Sequence, residues 1–366
     1  MDFTFSETQE QFRSSVRSFL AARCGGDYVR SMVDDPVGVR SDLWSEMAEL
    51  GWLGILAPPE CGGLGLGMVD LVVLQEELGR LPFPGPFVSS AVGATLACIR
   101  LGETSLLGDV VSGTKRATIA VEEPGHGDPL SSLRSSAKPD GDTWALSGTK
   151  PMVLDGASCD FALVVADEGG SPSTFLLEEP AGEAVPGLDV TRKLARIVLD
   201  GRNARRVGPP GDQSAIWRRV LDDLNVALCA ELVGTCERAL ELAVDYAKVR
   251  VQFDRPIATF QVIKHKAADM LHSLELARVG THFAAWASDT DDPGRERTAA
   301  MCKGFVAQAA NEVTAEAIQI HGGIGFTWDV DCHLLYRRAK QDDVLFGSQG
   351  FYRSRLAELL LGPLSH

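Results

Sequence analysis

Cation is what this chain is short of. Against 50 Asp and Glu it has 35 Lys and Arg, a formal net charge of −15. That balance argues against a broad electrostatic footprint for nucleic acid or for an anionic membrane surface. No apolar run reaches 18 residues without Gly, Pro or charge, so no membrane span is expected. The opening MDFTFSETQEQF has no basic stretch followed by an apolar one, so no secretory signal is expected. The eight cysteines stand singly, with no CxxC and no zinc spacing, and the seven histidines are equally dispersed. Metal chemistry and the common nucleophilic hydrolases therefore lack their constellations. Buried thiols of a cytoplasmic protein are the plain reading. Cys229 and Cys236, seven apart on an apparent helix, read as one packed face.

What is present is enough apolar residue, 45%, to bury a sizeable core over 366 residues, which suggests two or three domains. Three textures follow one another, giving an α+β class: an N-terminal helical domain (1–113), a middle antiparallel β-barrel or sandwich (114–208), and a C-terminal helical bundle (209–366). The first zone reads as helices over 6–23, 41–50 and 68–80. Phe5, Phe12, Val16, Phe19 and Leu20 form an apolar stripe, and Ser6 with Gln9 resembles a capping box. The segment GWLGILAPPECGGLGLG then breaks helical periodicity. In the second zone ATIAVEE, TWALSG, DFALVVAD, STFLLEE and ARIVLDG have strand length and turn residues between them. The third carries helical segments near 213–249, 256–288, 293–320 and 347–361, several longer than globular helices usually run, which implies a bundle that assembles further.

Three motifs carry candidate chemistry. In YAKVRVQFDRPIATFQ, Arg250, Gln252 and Phe253 lie at a helix break, and Pro256 suits the first turn of the next helix. A cation, an amide and an aromatic there suit a phosphate and a ring, or else a corner tied by a salt bridge. QIHGGIGF at 319–326 brings Gly322, Gly323 and Gly325 to a helix end. It is not a dinucleotide fingerprint, because G-x-G-x-x-G is absent and a helix precedes it, and a simple helix stop is its plain reading. VEEPGHGDP at 121–129 puts Glu122, Glu123 and Asp128 around a Pro/Gly turn, either as catalytic acids or as solvated turn residues.

Taken in order, these elements resemble the acyl-CoA dehydrogenase family of flavoproteins over essentially the whole chain. GWLGILAPPECGGLGLG and EELGR resemble its N-terminal signatures. VEEPGHGDP stands where the family has T-E-P-x-x-G-S-D, and GTKPMVLDG where it has G-x-K-x-W-I-T-N. YAKVRVQFDRPIATFQ resembles Y-x-x-x-R-x-x-F-G-x-x-I-x-x-x-Q, and QIHGGIGF resembles Q-x-x-G-G-x-G-[FY]. The resemblance implies FAD held between the β domain and the bundle. It also implies a neighbouring subunit's bundle reaching over to the adenosine and pyrophosphate end. Arg250, Gln252, Phe253, Gln261, Gln319, Gly322 and Gly323 match positions of that reach, and the glycine-rich helix end is expected to offer N–H donors to pyrophosphate. No metal is implied. An acyl-CoA is the implied substrate and electron-transfer flavoprotein the implied acceptor.

The same resemblance exposes losses. The family's base is a Glu in a Y-E-G-T loop, where Phe346 stands, or a Glu before an Arg on the first long bundle helix, where Leu224 and Asn225 stand. The Trp and Thr of W-I-T are Met152 and Leu154; the Thr and Ser of T-E-P-x-x-G-S-D are Glu122 and Asp128, acids expected to face an anionic cofactor. The pattern resembles the non-catalytic subunit of actinobacterial heteromeric acyl-CoA dehydrogenases acting on steroid side-chain thioesters, whose sister subunit carries the catalytic Glu. The competing readings are an active homo-oligomer with its base moved to Asp223 (Asp342 and Asp343, just ahead of Phe346, being further acids), a purely structural subunit, and a flavin-dependent hydroxylase on the same fold.

Overall fold

The computed structural model describes residues 5–124, 128–131 and 133–362. The N-terminal part is helical: α1 (Glu7–Arg23), α2 (Gly26–Ser31), α3 (Ser41–Glu49), α4 (Met68–Gly79), α5 (Thr95–Leu101) and α6 (Leu107–Val111). The capping box of α1 forms as expected: Gln9 N–H donates to Ser6 Oγ at 3.3 Å and Ser6 N–H to Gln9 Oε1 at 3.0 Å. Of its apolar stripe, Val16 and Leu20 are buried, and Phe5, Phe12 and Phe19 pack against the same core. A wholly buried π-helical stretch, Phe87–Ala94, precedes α5.

The middle part holds β1 (Ala117–Ala120), β2 (Ser136–Asp140), β3 (Thr143–Ser147), β4 (Thr149–Leu154), β5 (Phe161–Asp167), β6 (Pro172–Glu178), β7 (Glu183–Val185), β8 (Leu194–Val198) and β9 (Arg202–Val207). One sheet runs β1-β5-β2-β3-β9-β6, and β6 pairs back onto β5, which closes it. Most ladders are antiparallel, but β1 runs parallel to β5, with Ala117 opposite Phe161. The sheet is therefore mixed rather than purely antiparallel. Its inner face carries Leu146, Val164, Phe175 and Leu177, while Leu163, Val165 and Leu176 on the opposite face of β5 and β6 are buried in the main core. A smaller sheet, β4-β8-β7, carries Met152 and Leu154.

The C-terminal part is α7 (Ser214–Val249), a hairpin of β10 (Val251–Gln252) and β11 (Arg255–Pro256), α8 (Gln261–Asp289), α9 (Arg295–His321), α10 (Cys332–Val344) and α11 (Gln349–Leu361). Pro256 is not in a first helical turn. Phe253 and Asp254, at φ +55° and +60°, make a two-residue hairpin turn that pairs Gln252 with Arg255 and delays α8 to Gln261. The segment α10 had no counterpart in the sequence reading. Two glycines let α4 and α7 cross closely: a Cβ on Gly79 would lie 2.0 Å from Glu231 O, and one on Gly234 1.9 Å from Glu76 O. Among the described residues no helix is long and apolar enough to cross a membrane, and no His, Cys, Asp or Glu group could hold a metal ion.

A buried ionic cluster joins all three parts. Arg338 of α10 pairs with Asp189 and Glu231 and donates to Thr191 Oγ1 at 2.7 Å and to the carbonyls of Pro82 and Phe83 at 3.2 Å. Arg192 pairs with Glu231 at 2.6 Å and Asp342 at 3.1 Å. Burial raises Asp342 to about 7, while the two arginines hold Asp189 and Glu231 below the ordinary carboxylate range against the upward push of burial.

Candidate functional site

The structure gathers the seven positions of the cofactor reach at one end of the bundle. Arg250 closes α7, where its N–H donates to Tyr246 O at 2.9 Å and its carbonyl accepts from Ile257 N–H at 2.8 Å. Gln252 and Phe253 follow in the hairpin, and Gln261 is the first residue of α8. Gln319 lies in the last turn of α9, ahead of Gly322 and Gly323. Tyr246 stacks on His321 with centroids 4.4 Å apart, which ties the ends of α7 and α9 together. Between them runs an apolar groove of about 150 Å³ lined by Ala243, Ala247, Ile263 and Ile320. All seven residues are exposed, Phe253 by 86%. The side chains of Arg250, Gln252, Gln261 and Gln319 form no hydrogen bond or ion pair with another described residue.

The hairpin tip is held out rather than folded back. Phe253 meets Phe260 edge-on at 6.1 Å, and the Arg255 guanidinium sits 4.2 Å over the Phe260 ring. Gly322 stands at the C-terminus of α9, where its own N–H returns to Gln319 O and Ile318 O. The first-turn N–H groups of α8, beside Gln261, are further donors at this end.

The opposite half, on the chain's own β domain, is arranged differently. Met152 is half exposed, whereas Leu154 is buried and its carbonyl accepts from Thr118 Oγ1 at 2.6 Å. The three acids of the 121–129 loop were expected either in solvent or facing a cofactor; each has a partner in its own chain. Glu123 pairs with the fully buried Lys150 at 2.6 Å and accepts from Ser135 N–H at 3.1 Å. Burial lowers Lys150 to about 8 even with Glu123 beside it. Asp128 pairs with Arg218 at the start of α7. Gly125, His126 and Gly127 lie outside the described residues.

Glu122 has the most informative partner. Its Oε1 accepts the N–H of Phe346 at 2.8 Å. The residue as a whole keeps some exposure, but burial of its carboxyl raises it to about 7, opposed by the Phe346 and Gly347 N–H groups, Lys303 and Lys150. Phe346 is buried and holds φ +55°, a region costly for a residue with a Cβ. Gly347 follows at φ +103°, where a Cβ would lie 2.8 Å from Tyr352. The Phe346 carbonyl accepts from Asn225 Nδ2 at 3.2 Å and from Tyr352 OH at 3.3 Å. Lys303 donates to the carbonyls of Asp342, in the last turn of α10, and Leu345, where the loop begins.

The other acids near the base positions are also engaged. Asp223 accepts from Arg100 at 3.2 Å, Arg219 at 3.1 Å and Ser288 Oγ at 2.5 Å. Asp342 belongs to the ionic cluster, and Asp343 accepts from Gln349 N–H at 3.1 Å and Asn311 Nδ2 at 2.9 Å. Leu224 is buried and presents only hydrocarbon. No sequence signal linked Glu122, Phe346 and Asn225, although each is a departure from the family pattern; only the fold brings them into one hydrogen-bonded chain.

The two regions differ in what they could offer a dinucleotide. The bundle end, with a guanidinium and amides that meet no other described residue, an exposed aromatic and a helix N-terminus, has the chemistry to hold an adenosine pyrophosphate. The β-domain half does not fit the flavin ring: an aliphatic side chain stands for a hydroxyl and a carboxylate has taken the loop donor.

The chain matches "Acyl-CoA dehydrogenase, N-terminal domain" over residues 6–105 and "Acyl-CoA dehydrogenase, C-terminal domain" over 215–361. It is 32% identical to acyl-CoA dehydrogenase IpdE2 of Mycobacterium tuberculosis, covering 91% of each chain. A Tcur3481-Tcur3483 steroid ACAD variant superposes with TM-score 0.88 at 31% identity, covering 97% of this chain and 98% of that one. The ChsE4-ChsE5 complex from Mycobacterium tuberculosis superposes with TM-score 0.89 at 27% identity and full coverage of both chains. The likeness therefore extends to heteromeric steroid acyl-CoA dehydrogenases. The chain belongs to the acyl-CoA dehydrogenase family, whose cofactor is FAD.

Proposed function

We propose that this chain is the non-catalytic half of a hetero-oligomer that carries out FAD-dependent α,β-dehydrogenation of an acyl-CoA thioester in the cytoplasm. A sister subunit supplies the catalytic Glu, the flavin pocket and the acyl pocket, and electron-transfer flavoprotein is the acceptor of the electrons. FAD, when bound, supplies the hydride acceptor. This chain's part is to bind and orient the far end of that cofactor. Arg250 neutralises pyrophosphate charge, Gln252, Gln261 and Gln319 donate or accept hydrogen bonds, and Phe253 packs against the partner. The heteromeric steroid enzymes resembled here suggest a bulky acyl group, for which a half-site without chemistry leaves room.

One observation carries the reading: the side chains of Arg250, Gln252, Gln261 and Gln319 meet no other described residue, whereas the N–H and carbonyl of Phe346 are both taken by side chains of its own chain. Asp223, held by two arginines and a serine, supports the reading as a tie between α5, α7 and α8 rather than as a base. The test is purification of the chain alone and with its sister, with flavin absorbance and dehydrogenation recorded for each. The chain alone is expected colourless and inactive, the pair yellow and active, and an Asp223→Asn pair still active. A yellow, active homo-oligomer contradicts the proposal. Arg250→Ala separates it from a mere scaffold, which would lose no flavin.

A further inference from the structure

The residues that replace the family's functional groups touch one another. Glu122 stands for a Thr on the loop after β1, Phe346 for the catalytic Glu between α10 and α11, and Asn225 for an Arg on α7. They are 224 and 121 positions apart, yet form a continuous path in which Glu122 accepts from the Phe346 N–H and Asn225 donates to the Phe346 carbonyl. Both backbone polar groups of one residue are thereby taken by side chains. Tyr352 OH adds a second donor to that carbonyl, and Asn225 Nδ2 shares its two hydrogens among that carbonyl, Tyr352 OH at 2.8 Å and Leu221 O at 2.8 Å, which anchors the amide on α7. The loop they grip runs through two consecutive left-handed residues, a conformation that persists only where surroundings over-determine it.

We infer that Glu122 is a positioning residue, the bolt of a lock with Asn225 that holds the Phe346 loop shut and closes this chain's own half-site against ligand. This rests on the reading of the chain as the non-catalytic half. The lock explains why the departures come as a set. A Phe at the base position leaves a loop with no ligand to order it, and a buried carboxylate and amide supply the missing order from within. A carboxyl oxygen accepting a buried N–H satisfies that donor, and its removal leaves the donor unpaired. An incoming acyl or flavin group would have to break that bond and displace Glu122 before it found a donor.

Amide hydrogen exchange on the full-length chain, read for residues 344–351, tests the lock. Glu122→Ala is expected to speed exchange there at least tenfold while the β-sheet keeps its protection, and Glu122→Gln, which keeps an oxygen acceptor, to restore protection. Should Glu122→Ala not fold, Asn225→Leu releases the loop from the other side and is expected to speed exchange in the same segment. Unchanged exchange in 344–351 in the folded variants overturns the lock, as does exchange rising equally throughout the chain. Dehydrogenation by the complex with the sister subunit supplies the remaining arm. Glu122→Gln is expected to keep it within threefold, and a loss of a hundredfold or more would make Glu122 an acid or base and overturn the lock. An active homo-oligomer contradicts the proposed function by a different measurement, so the two failures are distinguishable.

Discussion

The bundle end and the Phe346 loop lie in one fold and treat their polar groups in opposite ways. At the bundle end the side chains of Arg250, Gln252, Gln261 and Gln319 are exposed and bonded to no other described residue, and Phe253 is held out on a strained turn. At the loop both sides of the Phe346 backbone unit are bonded within the chain, to Glu122, Asn225 and Tyr352, while Asn225 Oδ1 stays buried without a partner among the described residues. Free polar groups hold little intrinsic stability and are available to a ligand or a partner. Satisfied buried ones are costly to disturb and leave nothing to offer. Under the proposed function, the contrast marks a subunit that gives at one end what it has withdrawn at the other.

Substitutions should therefore split cleanly between stability and cofactor. The largest loss of stability is expected from Arg338→Met in the ionic cluster ahead of the loop. It leaves Asp189 and Glu231 without their shared cation in a buried setting, a cost of about 3–5 kcal/mol by urea unfolding of the chain. A small effect would mean the closed region is not held from within.

Glu122→Gln should act next, and in a pH-dependent way. The folded value near 7 lies above the ordinary 4.5, so the fold disfavours the ionised carboxyl. The stability tied to this group is fully present below about 4.5 and lost as pH rises through 7. The Gln variant should match wild type near pH 4.5 and exceed it by up to about 3 kcal/mol at pH 8. A difference that does not change with pH would place Glu122 in solvent and blur the contrast.

Arg250→Ala should move stability least, within about 0.5 kcal/mol, since its side chain has no partner among the described residues. The same variant should strip flavin from the complex with the sister subunit, read as lost absorbance. Unfolding and cofactor retention would then rank these two variants in opposite orders.

Much of this was legible in the sequence because it depends on local pattern. The capping box at Ser6, the stripe through Val16 and Leu20, and the long helical segments of the C-terminal part follow from spacing alone. Strand existence was legible, but the parallel pairing of β1 with β5 was not, because alternation reports faces rather than direction. Helix α10 was hidden by its own composition: with Arg337, Arg338, Lys340, Asp342 and Asp343 it reads as a polar connector, and Arg338 and Asp342 can be buried because distant residues pair with them. Pro256 misled because a helix-starting residue also suits the end of a hairpin, and the left-handed pair before it decided the matter. The motif residues of the bundle end could be found by resemblance, yet their lack of partners is a property of the fold. The Glu122–Phe346–Asn225 path could not be read at all, since contact between residues so far apart in the chain leaves no mark in a single sequence.

The central claim is that this chain supplies part of a flavin site without keeping one. Flavin content per protein answers it directly, measured by absorbance after denaturation for the chain alone and for its complex with the sister subunit. The account predicts no flavin on the chain alone and one FAD per unlike pair in the complex. One FAD on each copy of this chain, retained without a partner and reduced by an acyl-CoA, would contradict it.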